Sequence, residues 1–100
     1  MTKRNANDIS LLRAEIDRID SELVRLFTAR MQIAAQVAAY KRQTGMAVRD
    51  SVREAALLDL VAALSPAETG DCTRALYETI LSLSRAYQER LLAEDAPLTE

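Results

Sequence analysis

The sequence predicts an all-α fold with three helices per chain, and three features lead there. Residues 11–42 form a run of 32 without Gly or Pro, the first breaker being Gly45. Within it Leu12, Ile16, Ile19, Leu23, Leu26, Ile33 and Val37 recur at gaps of 4, 3, 4, 3, 7 and 4, a helical period and not the alternation of a strand. Two further apolar stripes lie on either side of the breakers Pro66 and Gly70: Leu57, Leu58, Val61 and Leu64, then Leu76, Ile80, Leu83, Tyr87 and Leu91. No strand-like run, internal repeat or low-complexity segment interrupts them.

The polar residues 1–9 read as a flexible tail. Asp8 or Ser10 can cap the first helix, and Glu15 lies early enough to suit its dipole. Lys41 and Arg42 suit the opposite end. Gly45 is the residue expected to stop this helix in a left-handed conformation. A second helix is expected from Asp50 or Ser51 to Leu64, with capping-box spacing at Ser51-Val52-Arg53-Glu54. Asp71 can cap a third helix running to about Ala93. Ser84 and Gln88 lie one turn apart beside its stripe, on a flank shared with Tyr77 and Leu81. The acidic tail 94–100 reads as a flexible end, or as a linker cut at a domain boundary.

One hundred residues, 49% of them hydrophobic, predict a single domain with an apolar core. The first helix would be roughly 48 Å long, against a radius of gyration of about 13 Å for such a domain. The overhanging stripe needs cover, which predicts a homodimer. A net charge of −2 and scattered Lys and Arg argue against a nucleic-acid partner. No apolar run is long enough to span a membrane, and the first ten residues lack the core of a signal peptide. Cys72 is the only cysteine, which fits a reducing, cytoplasmic compartment. The chain has no His, so neither a Cys/His metal site nor a Cys–His nucleophile is available, and no metal or cofactor is expected.

Two cations sit on the first stripe. Arg30 fills the gap between Leu26 and Ile33, and Lys41 follows Val37 by one turn; both fall within roughly 20° of Leu12 on the helical wheel. A cation on a core face is costly unless an anion meets it. Their Cα atoms would be roughly 16 Å apart, so the long side chains can converge on one small ligand. Arg13 lies roughly 25 Å from Arg30 along the same axis, and an antiparallel partner helix would bring its own copy alongside. Taken singly, each has a plainer reading. Arg30 can snorkel or pair with a carboxylate, Lys41 can serve the helix dipole, and Glu54 can be the capping-box acid. Arg13 and Arg53 can be solvated surface, and Ser84 and Gln88 ordinary boundary residues.

Their order along the chain says more. LLRAEIDRID at 11–20, LFTARM at 26–31, VAAYK at 37–41, VRDSVRE at 48–54 and LYETILSLSRAYQ at 76–88 resemble the all-helical, type II class of chorismate mutase. The resemblance spans about residues 9–92. It implies an intertwined dimer with two sites, and the pericyclic rearrangement of chorismate, a small dicarboxylate, to prephenate in aromatic amino acid biosynthesis. It implies that Arg13 from the partner chain and Arg30 grip the carboxylates. Lys41 and Gln88 would donate to the ether oxygen, and Glu54 would hold the ring hydroxyl beside the backbone near Asp50. Arg53 and Ser84 would lie around the ring carboxylate, and Val37, Leu57 and Leu81 would form apolar walls. Arg85 stands where that family often has an apolar residue, so it either points outward or alters the pocket.

The same scaffold would suit an isochorismate pyruvate lyase or a mutase of 4-amino-4-deoxychorismate. A non-catalytic helical dimerisation module is a further reading. Domains of this type are often fused to prephenate dehydratase or another aromatic-pathway enzyme.

Overall fold

The computed structural model describes residues 8–94, and among them there are three α-helices, one 3-10 turn and no strand. Helix α1 spans Ile9–Thr44, α2 spans Ser51–Leu64 and α3 spans Gly70–Glu94. The flexible tails expected at 1–9 and 94–100 fall mostly outside the described residues. At their inner edges Asp8 caps α1, Ile9 opens it and Glu94 closes α3.

Local chemistry explains each boundary. The Asp8 carboxylate accepts from the Ser10 and Leu11 amides at 3.1 and 3.4 Å, and its carbonyl accepts from Leu12 at 3.2 Å. Asp8, not Ser10, is therefore the cap. Gly45 has φ of 74°, and the Met46 amide closes back onto the Lys41 carbonyl at 3.0 Å. This is the left-handed stop that the sequence predicts. At α2 the cap is Asp50, whose carboxylate accepts from the Arg53 amide at 2.9 Å. The expected box between Ser51 and Glu54 does not form, because Asp50 already meets the free amide and Glu54 turns to α3. Past Ser65, Pro66 leads into a 3-10 turn at Ala67–Thr69 that runs directly into α3. Gly70 is thus helical, and Asp71 sits in the first turn instead of at the cap, still where the dipole favours it.

The chain divides into two compact units, Met1–Gln32 and Ile33–Glu100. The described part of the first is helical and leaves Ile16, Ile19, Leu23 and Leu26 exposed. In the second, α2 packs on α3. Glu54, Leu57, Leu58 and Val61 on α2 and Leu81, Ser84, Arg85 and Gln88 on α3 repeat the same i, i+3, i+4, i+7 pattern, and all eight are buried or half-buried. Asp59 and Arg74 pair at 2.7 Å, and the Ser65 hydroxyl bonds Thr73 Oγ1 at 2.7 Å, tying the two helices near their connection.

The expected stripes are only partly buried. Leu64 is 75% exposed, and Leu76 and Leu83 are also exposed, so these three do not belong to the α2–α3 seam. On α1 the buried positions are Ala34 and Ala38, while Ile33 and Val37 of the expected stripe are exposed. The apolar period marks the buried side of α2 at Leu57, Leu58 and Val61, but on α1 and α3 the buried lines lie beside the expected stripes. On α3 the buried line is the flank of Leu81, Ser84 and Gln88.

Candidate functional site

In the second unit, polar side chains make bonds at the end of α1, to the loop after it, between α2 and α3, and along α3. Arg42 anchors the end of α1 by donating to the Leu92 carbonyl at 2.7 Å, a link across 50 residues of chain. The residue before it, Lys41, is half-buried and donates from Nζ to the Val48 carbonyl in the loop. An ammonium has three protons, so this bond fixes the head and leaves donors for a second acceptor.

Gln88 is 6% exposed. Its Nε2 donates to Ser84 Oγ at 3.1 Å, and its buried Oε1 meets no hydrogen-bonding group. Leaving such an atom unmet costs about 1–3 kcal/mol. Half a turn of the amide reverses the arrangement: the Ser84 hydroxyl then donates to Oε1, and Nε2 becomes the free group. Ser84 supports either state, because a hydroxyl both donates and accepts.

Glu54 and Arg85 form an ion pair between α2 and α3, through Oε1 and Nη1, with side chains only 15% and 26% exposed. Arg85 therefore points inward. The sequence carries no local signal for this pairing, since 31 residues separate the partners. The Val48 carbonyl was also not foreseen, because any residue type supplies one.

The remaining expected residues are less gathered. Asp50 spends its carboxylate on capping, and Arg53 is exposed. Leu81 is buried and Leu57 half-buried, as apolar walls would be, but Val37 is 38% exposed. In the first unit Arg13 is exposed and Arg30 half-buried. Within the second unit a groove of about 360 Å³ is lined by Ala35, Ala38, Ala39, Arg42, Gln43, Leu91 and Leu92. It contains none of the expected site residues. Among the described residues no group of acidic or sulfur side chains has the arrangement to hold a metal, and no helix is long and apolar enough to cross a membrane.

A family profile, chorismate mutase type II, matches residues 12–89. The chain belongs to that family. Over 47 residues, 47% of this chain, it is also 43% identical to the T-protein of Haemophilus influenzae. That match covers 12% of the T-protein, so the chain spans a small part of that relative's length. No solved structure matches the chain significantly. Chorismate mutases are isomerases, and a pericyclic isomerisation asks for positioned donors, not for a nucleophile.

Proposed function

We propose that the protein is a cytoplasmic homodimer that converts chorismate to prephenate in phenylalanine and tyrosine biosynthesis. The observation that carries this reading is Gln88: an amide 6% exposed, pinned by Ser84, with an unmet polar atom. In the rearrangement the ether C–O bond breaks as a new C–C bond forms, within one cycle of electrons and with no redox change. Negative charge grows on the ether oxygen. Lys41 and Gln88 donate there, and their preorganisation lowers the barrier more in the transition state than in the ground state.

Arg30 of one chain and Arg13 of its partner hold the two carboxylates, which selects the compact conformer. Glu54 accepts from the ring hydroxyl, with the backbone near Asp50 beside it. Arg53 and Ser84 lie around the ring carboxylate, and Val37, Leu57 and Leu81 enclose the apolar part. The exposed Ile16, Ile19, Leu23 and Leu26 support the dimer, since an exposed apolar stripe of this length is the usual mark of an interface. The single free thiol, exposed at Cys72, fits a reducing cytoplasm.

The test is to incubate the protein with chorismate, isochorismate and 4-amino-4-deoxychorismate and to identify the products. Prephenate from chorismate is the expected result. Pyruvate release from isochorismate would instead mark a lyase. Lys41→Ala should lower kcat about 10²–10³-fold with folding and mass unchanged, the usual effect of losing one oxyanion-type donor. Wild-type turnover in that variant would reject the role of Lys41. A purely structural dimerisation module would give no turnover and no melting-temperature rise with a dicarboxylate transition-state mimic.

A further inference from the structure

We infer that Arg85 is a specificity-determining residue: by pairing with Glu54 it makes the site favour a ring hydroxyl over a protonated ring amine. The inference rests on the proposed mutase reading and extends it to the choice of substrate. Arg85 lies on the α3 face that carries Leu81, Ser84 and Gln88, so it belongs to the wall of the candidate site and not to the outer surface. Its partner Glu54 lies on the α2 face that carries Leu57, Leu58 and Val61. The pair is shielded, at 26% and 15% exposure, whereas Arg25–Glu22 and Arg74–Asp59 are open to solvent. Charges in the shielded setting act on a neighbour with far less screening.

A carboxylate standing alone accepts from a hydroxyl or from an ammonium, and its charge favours the ammonium. Arg85 changes both terms. It occupies Oε1, leaving Oε2 as the acceptor for one incoming proton donor. It also compensates the charge of Glu54, so the region around Oε2 presents a neutral pair with a cation beside it. A hydroxyl meets an unhindered acceptor there. An ammonium meets a carboxylate already neutralised, and a guanidinium that repels it. No other charged side chain of α2 or α3 offsets this: Arg53, Asp71, Glu78, Glu89 and Arg90 are exposed, and Asp59 is paired with Arg74. From α1, Lys41 adds positive charge and donates to the Val48 carbonyl.

The experiment compares kcat/KM for chorismate and for 4-amino-4-deoxychorismate in the wild type, Arg85→Gln and Arg85→Lys, at several pH values. In the wild type, chorismate should be favoured, and kcat/KM for the amine should rise with pH as its ammonium loses a proton. Arg85→Gln should shift the ratio toward the amine by at least about tenfold, mainly through KM, and only at pH values where the amine is charged; tenfold corresponds to about 1.4 kcal/mol. Arg85→Lys keeps the charge and should restore the wild-type ratio. A purely structural Arg85 would lower both substrates together, leaving the ratio flat, and that result overturns the inference. So does a wild type that prefers the protonated amine, an outcome readable even if the Gln variant does not fold. Failure of the wild type to turn over chorismate sinks the mutase reading first and the inference with it.

Discussion

Residues 9–32 and residues 33–94 satisfy their side chains in opposite ways. In the first stretch Ile16, Ile19, Leu23, Val24 and Leu26 are about half exposed or more, and the Arg25–Glu22 ion pair joins neighbours on one helix. In the second, partners meet across long separations: Arg42 with the Leu92 carbonyl, Arg85 with Glu54, Arg74 with Asp59. The second stretch therefore shows tertiary structure of its own. The first has helical periodicity and apolar surface but gains little burial from it, and an amphipathic helix owes most of its stability to packing. Under the proposed dimer, the contrast separates residues whose role is fixed within one chain from residues whose role depends on a second copy. In that proposal Arg13 falls in the dependent group, and Lys41, Glu54 and Gln88 in the other.

The largest effect should come from breaking the dependent part. Leu23, 54% exposed, is a central member of the α1 stripe. Burying a leucine contributes about 1.5–3 kcal/mol, and a twofold interface uses each position twice, so Leu23→Asp forfeits about 3–6 kcal/mol of association. That weakens dimerisation about 10²–10⁴-fold. Sedimentation should show a monomer at micromolar concentration, with activity lost because the partner's arginine is missing. A dimeric, active Leu23→Asp protein would contradict the proposed use of the stripe.

Next comes a change inside the self-contained part. Gln88→Glu replaces the amide by an acid in a site that is 6% exposed. Burial disfavours the charged form and raises the acid's pKa above its ordinary value of about 4.3. Near neutral pH the side chain is a carboxylate facing the ether oxygen, and activity should fall about 10²–10³-fold. As pH falls through the raised pKa the acid takes up a proton, becomes a donor and restores rate. The slope of kcat/KM against pH is the measurement. A pH profile parallel to the wild type would remove Gln88 from the reaction.

The same division governs what could be read from the sequence. Helix number and extent were legible, because the gaps of 4 and 3 among apolar residues and the breakers Gly45 and Pro66 act locally. The start of α2 was legible only as Asp50 or Ser51, since both are good caps and only geometry chooses between them. Leu64, Leu76 and Leu83 follow the apolar period yet are exposed, because period identifies a face and not what covers it. Gln88 and Ser84 were legible as a pair one turn apart. The partner of Glu54 was not, because it lies on another helix and was itself a departure from the family pattern. The groups of the site that sequence missed are those defined by distance in space alone.

The smallest effect sharpens the comparison by separating folding from chemistry in the second stretch. The Asp50 carboxylate meets the Arg53 amide at 2.9 Å and holds the first turn of α2. Asp50→Ala should cost about 1 kcal/mol, within the usual range for a lost N-cap. In a domain of this size that lowers the melting temperature by about 4–8 °C. Asp50→Asn keeps an acceptor and should cost only a few tenths of a kcal/mol. The order Ala below Asn in urea denaturation checks the cap itself. Glu54 rides on this turn, one turn beyond the cap, so fraying there loosens the hold on Arg85 as well. The Ala variant should then raise KM for chorismate a few fold with kcat almost unchanged, since Lys41 and Gln88 reside on other helices. If kcat falls with KM unchanged, the N-terminus of α2 takes part in the rate-determining step, and the separation drawn between positioning and donation does not hold.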